Sequence, residues 1–241
     1  MEKYNAETYG QRIADIYDDW YPSPEGPSIA LLSELSHHGR ALELGIGTGR
    51  IALPLKSHGI DISGIDASPA MVEKLRMKPE GKDIPVTIGD FSEVPVEGLF
   101  DLIFVVSNSF FALTTQKLQL KCLENVARHL TKNGSFLIEA FVPDLDRFDR
   151  GQTVRATDVR ENEVRIEISK HDSLKQQVTS QHVVLTEKGV RFYPVTIRYA
   201  WPSELDMMAR VAGLKLVNRW CDWVRTPFSA NSGRHISVYE L

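Results

Sequence analysis

Several functional classes are excluded by what this sequence has little of. Only two cysteines occur, Cys122 and Cys221, each inside an apolar-patterned segment and without a partner at metal-ligand or redox spacing. A disulfide framework, a zinc site and a dithiol motif are therefore not expected, and both residues read as buried thiols. Positive charge is also scarce, with 28 Lys and Arg against 32 Asp and Glu and a net charge of -4. No field gathers nucleic acid or an anionic membrane, and neither is an expected partner. No uncharged run approaches the length needed to cross a bilayer, and the opening MEKYNAETYGQRIADIYDDWY carries acids and no apolar signal core. A cytoplasmic protein is the expectation. Internal repeats and low-complexity tracts are missing as well.

What remains is ordinary globular composition. The chain has 241 residues, 42% hydrophobic and 25% charged, enough for one continuous core with an added lobe. From Glu7 to about Tyr21, Tyr9, Ile13, Ile16, Tyr17 and Trp20 recur at helical spacing, and Pro22 and Pro24 are expected to stop that helix. Ile29, Leu32 and Leu35 mark a second helix, with Gly39 as its expected terminator.

Strands and helices then alternate. ALEL runs into glycines and a helix containing Ile51, Leu53 and Leu55; DISGID, PVTIGD, FDLIFVV and SFLIEAFV read as further strands. SPAMVEKLRMK and Gln116 to Leu130 supply the intervening helices, the latter closed by a Lys132-Asn133-Gly134 turn. The nearly all-apolar fourth strand suits a parallel sheet covered on both faces, so the expected fold is α/β and doubly wound. From about Gln152 to Ala200 the period changes to two, implying an antiparallel β insert of three or four strands after the fifth strand. A helix starting at Trp201-Pro202-Ser203 and ending at Gly213 precedes two closing strands, LKLVNRWCDWV and HISVYEL.

The chemistry concentrates in Glu43-Leu44-Gly45-Ile46-Gly47-Thr48-Gly49. Glycines at every second position directly after a strand let backbone approach a ligand, and the next helix offers unpaired N–H groups. Twenty-one residues after Gly45, at the end of the next strand, Asp66 stands where an acid accepts hydrogen bonds from ribose hydroxyls. The G-x-G-x-G spacing and the acid Glu43 suit no pyrophosphate, whereas Glu43 can accept from the ammonium group of S-adenosylmethionine, directly or through water. A nicotinamide-dependent dehydrogenase is the weaker alternative, and a non-catalytic S-adenosylmethionine-binding or regulatory module is a second.

LELGIGTGR, GIDASPAM, Gly89-Asp90-Phe91 and FDLIFVVSNSF together resemble the class I, Rossmann-like S-adenosylmethionine-dependent methyltransferases, in that family's order and spacing over roughly residues 40 to 142. The resemblance implies a seven-stranded sheet with the cofactor S-adenosylmethionine, the product S-adenosylhomocysteine and no metal. It also implies that Glu43, Gly45, Gly47 and Gly49 line the methionine end, that Asp66 holds ribose, and that Ala67 and Met71 flank adenine. Asp90 and Phe91 would meet the adenine amino group and face, and Ser107 would lie beside the methionine. Two of these positions have a second reading: Met71 as a core residue of its helix, Ser107 as a turn cap.

The wider layout resembles glycine and amino-sugar N-methyltransferases, whose leading tyrosines close over the cofactor. That points to Tyr9, Tyr17 or Tyr21, with Tyr21 the preferred lid and a candidate catalytic group. The histidine those amino-sugar enzymes carry after the fourth strand is replaced here by Asn108-Ser109-Phe110-Phe111. An acceptor pocket walled by the insert and tail would draw on Tyr17, Phe192, Arg198, Tyr199, Trp201, Trp223 and Arg225. Arg198 and Arg225 could hold an acceptor anion or face solvent; His235 could deprotonate an acceptor or serve as a structural histidine. The expected division is 1–38 helical lid, 39–150 cofactor core, 151–200 β insert as substrate cover or homodimer surface, and 201–241 closing helix and strands. The expected activity is methyl transfer to an N or O atom of a small molecule.

Overall fold

A computed structural model describes residues 4–21, 24 and 26–241. Its main sheet has seven strands in the order β10-β11-β5-β4-β1-β2-β3, comprising β1 (Arg40–Leu44), β2 (Asp61–Asp66), β3 (Val86–Ile88), β4 (Phe100–Val105), β5 (Leu130–Phe141), β10 (Lys215–Trp220) and β11 (Arg234–Glu240). β1, β2, β3, β4 and β5 run parallel; β11 pairs antiparallel with both β5 and β10. Side chains alternate across each strand, so the apolar runs supply two cores, one per face. Leu42, Leu44, Ile103, Val105, Phe136 and Ile138 bury on one face; Ala41, Ile62, Leu102, Phe104 and Leu137 bury on the other.

Helices α3 (Gly26–Leu35), α4 (Ala52–Ser57) and α5 (Pro69–Met77) cover the β1–β2–β3 side, and α6 (Gln116–His129) and α7 (Pro202–Val211) pack together on the opposite core. Side-chain caps open two of these helices: the Ser68 hydroxyl accepts the Met71 N–H before α5, and the Thr115 hydroxyl accepts the Leu118 N–H before α6. The insert is a four-stranded antiparallel sheet of β6 (Gln152–Val159), β7 (Glu163–Asp172), β8 (Gln177–Thr186) and β9 (Gly189–Arg198).

Three local expectations are corrected. The leading segment is two short helices, α1 (Thr8–Ile13) and α2 (Tyr17–Trp20), rather than one. The Tyr9 and Tyr21 hydroxyls meet at 3.0 Å, whereas twelve residues of straight helix would separate them by about 18 Å. Pro22, expected to stop that helix, lies outside the described residues. Gly39 does not terminate α3: His37 and His38 take the left-handed conformation, with φ of 49° and 60°. Gly39 serves close approach instead, since a Cβ there would stand 2.0 Å from Asp101 Oδ2. Lys132-Asn133-Gly134 continues the extended course of β5 and is accommodated by a register shift against β4, from Phe100 opposite Leu130 to Leu102 opposite Ser135. Among the described residues no helix is long and apolar enough to cross a membrane.

Candidate functional site

The carboxyl ends of β1, β2 and β4 open into a cavity of ≈ 660 Å³, within the range of small-ligand sites. Its floor is the glycine loop after β1. The Gly45 and Ile46 N–H groups both donate to the Ile65 carbonyl, at 2.8 and 3.0 Å, which pins the loop to β2. Gly45, Gly47 and Gly49 have φ of 80°, 54° and 76°, a region closed to most side chains, so the turn depends on glycine.

Asp66 ends β2 in the cavity wall. Its Oδ2 accepts the Gly47 N–H at 2.7 Å and its Oδ1 the Ser68 N–H at 2.8 Å. Burial pushes the Asp66 carboxyl above its usual pKa, and these backbone bonds oppose that shift. Ala67, Met71, Asp90, Phe91 and Ser107, the positions carried by the family resemblance, join the same wall.

Tyr9, Tyr17 and Tyr21 close the cavity from the amino-terminal side. The Tyr17 and Tyr21 rings lie 4.7 Å apart. Burial pushes Tyr17 up to about 12 despite the nearby Arg50, and also raises Tyr9, so both phenols stay protonated. The cover is tied to the loop beneath it: the Thr48 hydroxyl donates to Asp18 at 2.6 Å, and Lys78 bridges Asp18 at 2.7 Å and the Thr48 carbonyl at 2.9 Å.

Other expected residues fall elsewhere. Glu43 and Gly49 are not in the wall. Glu43 is buried behind the loop, its carboxyl held by the Ala52 N–H and attracted by Arg50; desolvation still pushes its pKa well above the usual range. Its Oε2 has no hydrogen-bond partner among the described residues. Gly49 packs inward, where a Cβ would stand 2.3 Å from Leu75.

Of the expected acceptor residues only Tyr17 reaches the cavity. Phe192 faces outward, sharing the exposed apolar face of the insert with Val154, Ile168 and Val190. Arg198 is neither solvent-facing nor free for an anion; its guanidinium is buried against Gln119, Gln176 and Glu204, locking β9 to α6 and α7. Tyr199 is buried and bonds His171 at 2.9 Å. Trp201 lines a separate depression beside Pro202 and Phe228, and Trp223 packs on the core under β11. Arg225 pairs with Glu34 at 2.5 Å.

His235 cannot serve as the base. It is fully buried on β11, away from the cavity, with Nδ1 at 2.8 Å from the Ser237 hydroxyl and the Phe228 ring edge against it. Burial, reinforced by Arg219, lowers it to about 4.

Sequence reasoning missed other wall residues: Tyr4, Asn5, Asn108, Ser109, Thr114, Glu139, His182, Val195 and Ile197. One signal was available for Glu139, an acid interrupting the apolar run SFLIEAFV near a strand end, as Asp66 does in its strand. His182 offered none, since an alternating strand hides which face meets a ligand. Burial lowers its pKa, and it makes no hydrogen bond among the described residues, touching Trp20 edge-on at 6.0 Å. Among the described residues lining the cavity there is no Lys or Arg, while Asp66, Asp90 and Glu139 are carboxylates.

Comparison with known proteins agrees with this geometry. A profile described as a methyltransferase domain matches residues 41–134. The CcbJ methyltransferase of Streptomyces caelestis superposes with a TM-score of 0.91 at 36% identity, covering 98% of this chain and 99% of that one. The chain belongs to the S-adenosylmethionine-dependent methyltransferases. The methyltransferase is also 25% identical over 238 residues to a cypemycin N-terminal methyltransferase of a Streptomyces species, covering 96% of this chain and 97% of the relative. An amino pentose methyltransferase of Micromonospora echinaspora shares the fold, with a TM-score of 0.70 at 18% identity over 99% of this methyltransferase and 98% of that chain. These relatives displace the dehydrogenase alternative. Its cofactor is S-adenosylmethionine, and the residues present fit it: two left-handed glycines expose backbone to the cavity, and the Asp66 oxygens each keep one accepting lone pair beyond their backbone bonds.

Proposed function

We propose that the protein transfers a methyl group to an amine nitrogen of a small molecule or peptide. The observation carrying this is the charge of the cavity, whose described wall residues include three carboxylates and no Lys or Arg. Such a wall disfavours an anionic acceptor and attracts a cationic one. The cypemycin N-terminal methyltransferase, named for transfer at an amino terminus, supports the same atom.

In this reading Asp66 holds the ribose, Met71 and Ala67 flank adenine, and Asp90 and Phe91 meet its edge and face. Gly45, Gly47 and Ser107 hold the methionine end, with the unpartnered Glu43 oxygen reached through water. Bound there, S-adenosylmethionine supplies a methyl carbon already activated by positive sulfur. The chain contributes alignment and a dry site, so no nucleophilic residue is needed. Tyr9, Tyr17 and Tyr21 exclude water from above. An amine attacks only when neutral, and His182, kept neutral by burial, takes over from His235 as the group suited to accept its proton.

The division into cover 1–38, cofactor core 39–150, insert 151–200 and closing segment 201–241 carries over, with the insert walling the acceptor through His182, Val195 and Ile197. Its exposed apolar face is the surface on which a second copy would pack. The cytoplasm is the compartment proposed, in keeping with two unpaired thiols. A non-catalytic module would need no acceptor space, whereas this cavity extends past the cofactor residues to the insert. The test is methyl transfer from labelled S-adenosylmethionine across amines, amino acids, sugars and phenols. N-methylated product supports the proposal; product formed only on hydroxyl oxygen would replace it with O-transfer.

A further inference from the structure

The end of β4 holds a strained turn. Ser107 and Asn108 are consecutive non-glycine residues with φ of 56° and 64°, a left-handed conformation that persists only where the surroundings impose it. Glu139 on β5 does so with both main chain and side chain. Its carbonyl accepts the Asn108 N–H at 3.3 Å and its Oε2 accepts the Ser107 N–H at 2.5 Å. Asn108 Oδ1 in turn accepts the Phe141 N–H at 2.7 Å.

This clamp uses one carboxylate oxygen. A carboxylate accepts about four hydrogen bonds in all, so Oε1 retains its full capacity. Among the described residues Glu139 has no ion-pair partner, and Arg50 bonds the Ser107 hydroxyl instead, at 2.5 Å. Glu139 lines the cavity from β5, with β4 and β1 standing between it and Asp66 at the end of β2.

We propose that Glu139 is the seat of the acceptor's ammonium group, accepting its N–H through Oε1 and selecting amines over alcohols of the same shape. The proposal rests on the amine-methyltransferase reading above and assigns the residue that would enforce it. The clamp on Ser107 makes the seat rigid, so little entropy is lost when the amine docks.

Calorimetry on the protein saturated with S-adenosylhomocysteine tests this, with benzylammonium and benzyl alcohol as probes. Benzylammonium should bind about tenfold or more tighter than the alcohol. Glu139→Gln should abolish that preference while S-adenosylhomocysteine affinity stays within about twofold, because the glutamine carbonyl can still accept the Ser107 N–H. Equal binding of the two probes, no binding of benzylammonium at millimolar concentration, or a preference that survives in the variant would overturn the proposal. So would a loss of S-adenosylhomocysteine affinity in the variant, which would set the carboxylate against the methionine ammonium. The wild-type comparison needs no substitution, so a folding defect in the variant does not shield the idea. Failure of the wild type to bind S-adenosylhomocysteine is a separate result that overturns the cofactor reading and this proposal with it.

Discussion

The Gly47 backbone N–H donates to Asp66 Oδ2 at 2.7 Å, joining the loop after β1 directly to the acid that ends β2. Loop and acid are thus one rigid seat, with the Ser68 N–H at 2.8 Å fixing the other oxygen. Asp66→Ala should weaken S-adenosylmethionine binding by about 1.5–3 kcal/mol, because buried ribose hydroxyls lose a charged acceptor. Calorimetry measures this, and unchanged affinity would refute the ribose assignment.

The cover should be separable from the seat. Asp18 ties α2 to the loop through Thr48 and Lys78. Asp18→Ala should raise the cofactor dissociation rate roughly tenfold, a loss of about 1.4 kcal/mol, with a smaller effect on association. Stopped-flow fluorescence reports both rates; equal slowing of association would mean that the cover is not the barrier to release.

Arg198 should matter for folding and not for ligand. Arg198→Ala leaves the buried Gln119 Oε1 without its donor and the partly buried Glu204 with only Gln116 and Gln176, a cost of about 3 kcal/mol. Thermal unfolding should fall by roughly 10 °C for a chain of this size, while cofactor affinity stays within about twofold at 25 °C. Lost affinity in a folded variant would return Arg198 to the site.

His235 makes stability depend on pH. Its folded pKa of about 4 lies below the ordinary 6.5, so the unfolded chain binds the proton more readily. The sign follows: stability is complete above about 6.5 and is lost as pH falls towards 4, by about 3 kcal/mol in total. Denaturant titrations from pH 7 to 4 should show that fall, reduced in His235→Gln; an unreduced fall would assign it to other groups.

His182 should govern activity instead. Burial lowers its pKa below 6.5, so the acidic limb of kcat/KM for the acceptor found by screening should lie below that value. His182→Gln should remove the limb and cut kcat about 10²-fold or more, with cofactor binding unchanged. A limb that persists in the variant would exclude His182 as the proton acceptor.

By itself the sequence determined the alternation of strands and helices, the glycine loop and Asp66, because these depend on local periodicity and on backbone conformations that only certain residues adopt. Asp90, Phe91, Ser107 and the leading tyrosines were legible only through the resemblance of their motifs and layout to the methyltransferases, since periodicity alone assigns them no ligand. The acceptor wall was decided only by tertiary structure. Arg198 and His182 both sit on alternating insert strands, and a period of two says that one face is covered without saying what covers it. Docking of β9 against α6 and α7 buried Arg198 in a polar knot, while packing of α1 and α2 over the sheet turned His182 towards the cavity. His235 and Glu139 likewise lie on adjacent strands of one sheet, with near-identical local patterns. Pairing sets Glu139 opposite Ile236 and His235 opposite Ala140, so the two point to opposite faces of the sheet, and only what covers each face separates a structural side chain from one a ligand can reach.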